Sequence, residues 1–110
     1  MNALATFNKE ALSTIQSEVD RLKAGLTFAQ ARALPEAEGR DIVIAGKEVQ
    51  LTTFRQAELR FLKGDVLITV QVARFGLGGM TSYHTERGLI FSPHSPPRDA
   101  TDDELMESGR

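Results

Sequence analysis

The sequence predicts an α+β fold: an N-terminal helix, with a short second helix behind it, packed on one face of a four-stranded antiparallel β-meander and followed by a flexible C-terminal tail. Three observations lead there. Apolar residues first recur at helical spacing, the period falls to two from Ile42 onward, and prolines replace the alternation beyond Ser92. The domain organisation expected is one α+β domain over residues 1–91 and a Pro-rich arm with an acidic tail over 92–110.

The first element follows from Leu4, Phe7, Ala11, Ile15, Val19, Leu22 and Leu26, which form one apolar stripe when wound at 3.6 residues per turn. Polar Lys9, Ser13, Gln16, Asp20 and Lys23 fall on the opposite side, so a surface helix with one face down is expected over about Phe7 to Ala24. Thr6 or Asn8 suits its N-terminus, and Lys23 followed by Gly25 suits its end. Thr27-Phe28-Ala29-Gln30 has capping-box spacing and opens a second helix over Phe28 to Ala33, which Pro35 terminates. Glu36-Ala37-Glu38-Gly39 reads as a loop.

Strand signals begin with Ile42-Val43-Ile44. A turn at Ala45-Gly46-Lys47 joins them to Val49, Leu51 and Thr53, which alternate with polar partners and complete a hairpin. The stretch Phe54 to Lys63 fits either period, since Thr53-Phe54-Arg55-Gln56 also has the spacing of a cap. The alternation through Leu59 and Phe61 favours strand, continuing to about Ala57. Asp65 to Phe75 is the strongest strand, with Val66, Ile68, Val70 and Val72 forming a β-branched row for the core and Leu67, Thr69, Gln71 and Ala73 on the reverse. Gly76-Leu77-Gly78-Gly79 is a loop, and Met80 to Phe91 is the return strand, with Gly88 marking a bulge. Ser92-Pro93-His94-Ser95-Pro96-Pro97-Arg98 reads as an extended irregular arm that spans about 20 Å at the polyproline rise. Beyond it, Asp99, Asp102, Asp103, Glu104 and Glu107 outweigh Arg98 and Arg110 to leave a net charge of −3. Thr101-Asp102-Asp103-Glu104 is spaced to cap one or two helical turns carrying Leu105 and Met106.

Composition removes several functions. With 110 residues, 41% of them hydrophobic, the chain can withdraw about two-thirds of its unfolded surface from water without a disulfide or metal staple. A formal charge of −2 argues against a strongly basic nucleic-acid binder, and nucleic acid is not an expected partner. Basic residues do interleave with aromatics around Phe54, Arg55, Arg60 and Phe61, but neighbouring acids nearly cancel them. Zero cysteines exclude thiol chemistry and Cys-based zinc sites. No apolar run approaches the about 20 residues of a membrane span, and the first six residues lack the blocks of an export signal. A cytoplasmic protein with no cofactor and no membrane partner is expected.

The segment that bears on chemistry is Tyr83-His84-Thr85-Glu86-Arg87, because a strand should carry an apolar row and this one is polar on both faces. His84 and Glu86 point one way, while Tyr83 and Arg87 bracket Thr85 on the other. The simplest account is an edge strand kept polar against foreign pairing. The sharper one is a small polar-ligand site at Gln71, Tyr83, His84, Glu86 and Arg87, in which a His–carboxylate pair can also serve acid–base chemistry. No metal site is expected, since His94 lies in the arm and does not join His84 and Glu86 in a compact motif. The glycines at 76–79 resemble a phosphate loop only in composition, as no helix follows them.

The expected function is a non-catalytic interaction protein that self-associates or docks another protein through an open sheet face, an edge or the tail, with Phe54, Leu67, Ala73, Leu105 and Met106 as candidate interface residues. The ligand module and a small His84–Glu86 enzyme are the alternatives.

Overall fold

A computed structural model describes residues 3–57, 59–60, 63–79 and 81–109 of the chain. Met80, expected to open the return strand, and Phe61, expected to continue the alternation, lie outside the described residues. The α+β class holds, with five strands rather than four. Helices α1 (Ala3–Gly25) and α2 (Phe28–Arg32) precede strands β1 (Ala37–Ile44), β2 (Lys47–Ala57), β3 (Val66–Phe75), β4 (Thr81–Ser92) and β5 (Ser95–Asp99), and helix α3 (Asp102–Glu107) follows. The strands form one antiparallel sheet in the order β1-β2-β3-β4-β5.

One face of this sheet takes α1. Phe7, Ala11, Ile15, Val19 and Leu22 are buried against Val66, Ile68, Val70 and Val72 of β3 and Leu89 and Phe91 of β4, the row and most of the stripe that periodicity identifies, while Leu4 of that stripe is exposed and Leu26 partly buried. Each such side chain contributes roughly 1.5–3 kcal/mol on leaving water. Helix α1 begins at Ala3, so Thr6 and Asn8 lie inside it instead of capping it. Helix α2 is opened by the expected box: the Gln30 N–H donates to Thr27 Oγ1 at 3.2 Å and the Thr27 N–H to Gln30 Oε1 at 2.9 Å. Ala45 and Gly46, with φ of 51° and 76°, make the two-residue turn between β1 and β2, and their left-handed backbone matches the twist of a hairpin.

Four local expectations are corrected. The Glu36–Gly39 segment is not all loop, because β1 starts at Ala37 and pairs with Phe54. Gly88 sits in regular register opposite Thr69, and the irregularities of β4 fall elsewhere, where Arg74 pairs with Tyr83 but Phe75 with Thr81 and between Ile90 and Ser92 against β5. The supposed irregular arm contains β5, whose Arg98 and Asp99 pair with Ile90 and Leu89. Prolines are compatible with that strand because an outermost strand needs the bonds of one side only.

The fourth concerns Leu67, expected on an uncovered reverse face. Leu67 and Ile90 are 0% exposed beneath Leu105 of α3, with Leu59 and Ala100 completing this smaller cluster. Helix α3 carries the predicted box, with the Glu104 N–H donating to Thr101 Oγ1 at 3.1 Å and the Thr101 N–H to Glu104 Oε1 at 2.9 Å. It is too short to persist without docking. Gly88 makes that docking possible. A Cβ there would lie 2.7 Å from Leu105 Cδ2 and 3.0 Å from Ala100 Cβ, while the Ala100 N–H donates to the Gly88 carbonyl at 2.8 Å.

Gly88→Ala is therefore expected to cost about 1–3 kcal/mol by overpacking. Urea unfolding should show the loss, and hydrogen exchange should show it concentrated around Leu105. Unchanged stability and protection would mean that α3 does not press on Gly88.

Candidate functional site

Strand register lays the reverse face out in rows. Gln56, Leu67, Ile90 and Arg98 form the row beneath α3, and Ala37, Phe54, Thr69 and Gly88 form the next. Beyond these come Gly39, Thr52, Gln71 and Glu86, then Asp41, Gln50, Ala73 and His84, and then Val43 and Glu48 near exposed Phe75. Helix α3 covers the first end of this face and leaves the second bare.

The roof is fastened by polar contacts at its margins. Arg98 donates from Nη1 to Glu104 Oε1 at 2.9 Å and from Nη2 to Glu104 Oε2 at 2.8 Å, and Gln56 Nε2 donates to the Ser108 carbonyl at 2.9 Å. The Arg98 guanidinium, helped by the Thr101 backbone, holds the Glu104 carboxyl at about 2 against the ordinary 4.5. On the helix face, Lys23 of α1 reaches Asp99 of β5 at 3.3 Å, an exposed contact worth little.

The five candidate ligand residues do not converge. Gln71, His84 and Glu86 share the bare half of the reverse face, Gln71 directly opposite Glu86. Tyr83 and Arg87 fall on the helix face: the Tyr83 ring meets Phe7 edge-on at 4.8 Å and 88°, and burial pushes its phenol above the usual range. Arg87 is exposed on that side, near Gln16, Asp99 and Asp102. Alternation alone separates the two groups.

His84 Nε2 lies 3.7 Å from Glu86 Oε2, beyond a direct hydrogen bond. The His84 side chain is 42% exposed and that of Glu86 16%. Glu86 Oε2 itself is shielded from solvent and has no hydrogen-bond partner, and the same is true of Thr69 Oγ1 one row closer to α3. Shielded oxygens without donors cost about 1–3 kcal/mol each. The charged side chains of the three bare rows are Asp41, Glu48 and Glu86, with His84 beside them, so this half-face is acidic. Ala73, 3% exposed, lies at the floor of a shallow depression walled by Asp41, Gln50 and Phe75.

The candidate interface residues divide as well. Leu67, Ala73 and Leu105 are buried within the chain, Phe54 is half-buried, and Met106 alone stands out at 77% exposure. His94 sits in the turn between β4 and β5, and among the described residues no three metal-ligating side chains converge. None of the described helices is long and apolar enough to cross a membrane.

Sequence reasoning missed the outer edge of β1. Residues Ala37 to Asp41 are all exposed, and among the described residues β1 has a neighbour on one side only. The available signal was charge, with Glu38, Arg40 and Asp41 set around Gly39, a pattern easily taken for a loop. Comparison of the chain with protein-family models, curated proteins and solved structures finds no match.

Because Glu104 ionises far more readily in the folded chain than free in water, its contribution is complete above pH 4.5 and is lost as pH falls toward 2. Acid titration followed by NMR should release α3 and β5 in that interval while the α1 face persists. Glu104→Gln should show the released state already at neutral pH; simultaneous loss of both faces in the wild type would refute the separate fastening.

Proposed function

We propose that the chain is a non-catalytic interaction protein that associates with a second copy of itself through a sheet edge. The observation that carries this reading is the inequality of the two edges. Strand β1 is eight residues long with Ala37 to Asp41 exposed, whereas β5 is shorter and carries Pro96 and Pro97, which lack N–H donors. Face-to-face pairing of two bare half-faces would oppose Asp41, Glu48 and Glu86 with their own copies, so like-charge repulsion disfavours it. A loose His84–Glu86 pair on an open surface is a poor acid–base device, which supports a binding role over catalysis.

An edge contact made by one strand is small, so the association is weak and concentration-dependent. Sedimentation equilibrium should show the mass rising from 12.1 kDa toward twice that value. A constant monomer mass up to about 1 mM, where even −4 kcal/mol of association registers, would end this reading.

A second reading rests on the acidic character of the bare half-face, where among the described residues Asp41, Glu48 and Glu86 stand without a basic side chain in their rows other than His84. It makes the bare half-face a site for ammonium or guanidinium groups, with Gln71 and His84 alongside. Titration with free arginine should shift the Glu86 and Gln71 amide resonances in the wild type and not in Glu86→Gln. No shift at millimolar arginine would dispose of it.

A further inference from the structure

We infer that two copies join β1 to β1 in antiparallel register about a two-fold axis at Gly39, which places Glu38 of each copy against Arg40 of the other. The inference rests on the self-association reading and specifies its geometry.

The direction of the free backbone groups comes first. The Arg55 N–H donates to the Glu36 carbonyl at 3.0 Å, and Ile44 pairs with Lys47 across the two-residue turn. In an antiparallel ladder the bonded positions alternate, so Glu38, Arg40 and Ile42 also bond inward to β2. Ala37, Gly39 and Asp41 then aim their N–H and C=O groups outward, free to pair with another strand.

A two-fold axis that continues the sheet pairs positions lying on the same face of each copy. Centred on Glu38, Arg40 or Asp41, it sets a charge directly against its own copy. Centred on Gly39, it sets Gly39 against Gly39, Ala37 against Asp41 of the second copy in bonded pairs, and Glu38 against Arg40 in the closer non-bonded pairs. No like charges meet among these positions. Charges on an edge strand ordinarily deter pairing, but this pattern is complementary to itself.

Arg40 is available for the contact. Its side chain is 67% exposed and only 3.9 Å from Glu18, whose carboxylate is held chiefly by Arg21. With five N–H donors, a guanidinium can keep that approach and donate to a second carboxylate.

The chain has no cysteine, so introduced thiols report on this register without background. Directly opposed non-bonded positions bring Cα atoms to about 4.5 Å, within the range a disulfide spans. An oxidised mixture of the Glu38→Cys and Arg40→Cys full-length chains should yield the mixed covalent dimer, and neither chain alone should cross-link. Cross-linking of Glu38→Cys or of Arg40→Cys with itself would show a different register and overturn the inference. So would failure of the mixture to cross-link when the wild type sediments as a dimer. A wild type that stays monomeric would remove the self-association reading and this geometry together. In parallel, Glu38→Arg should weaken dimerisation about tenfold and Glu38→Arg with Arg40→Glu should restore it; no recovery in the double variant, with its circular dichroism unchanged, also counts against the pairing.

Discussion

The structure depends on a central strand, β3, that must be dry on both sides. Val66 through Val70 are buried without interruption, so helix-facing and reverse-facing residues alike need cover. Helix α1 supplies it on one side with a long apolar stripe. On the other side, six residues of α3 supply it at one end, through Leu105 over Leu67 and Ile90. The second cover is small because little needs covering: past Thr69 the reverse row turns to Gln71 and Ala73, and its neighbours to Thr52, Gln50, Glu86 and His84. The reverse face thus changes along its length from an interior to a surface.

The proposed binding role draws on this change. The polar groups of the bare half-face stand on a pleated layer that faces outward, and the pair best suited to proton transfer is held apart. The edges also differ in kind. One side of the sheet ends in a proline-bearing strand tied down by Arg98 and Glu104, and the other ends in a strand whose Ala37 to Asp41 are exposed.

Much of this was legible in the sequence where spacing controls burial. The α1 stripe, the β3 row, the capping boxes at Thr27 and Thr101 and the hairpin at Ala45-Gly46 all follow from local pattern, and Gln71, His84 and Glu86 are neighbours as alternation requires. What escaped depends on position within the sheet. Proline is a poor strand residue except at a boundary, and nothing in Ser95-Pro96-Pro97 reveals that a boundary is where it lies. The start of β1 is hidden by Glu-Ala-Glu-Gly, a loop composition that an exposed outer strand tolerates. The role of Gly88 is hidden because a glycine within a strand pattern signals a bulge or a close approach without distinguishing them. Tyr83 and Arg87 are close to His84 along the chain, but a pleated strand sends adjacent side chains to opposite faces.

The order of synthesis gives the α3 cover a further consequence. Strands β3 and β4 leave the ribosome with Leu67 and Ile90 bare, and remain so until the residues around Leu105 have followed. During that interval a growing chain carries a greasy stripe beside a forming sheet, the condition in which nascent proteins stick to one another or recruit chaperones. Cover for Leu67 and Ile90 thus comes from residues made after both strands, and truncations that remove α3 would be felt first as loss of yield.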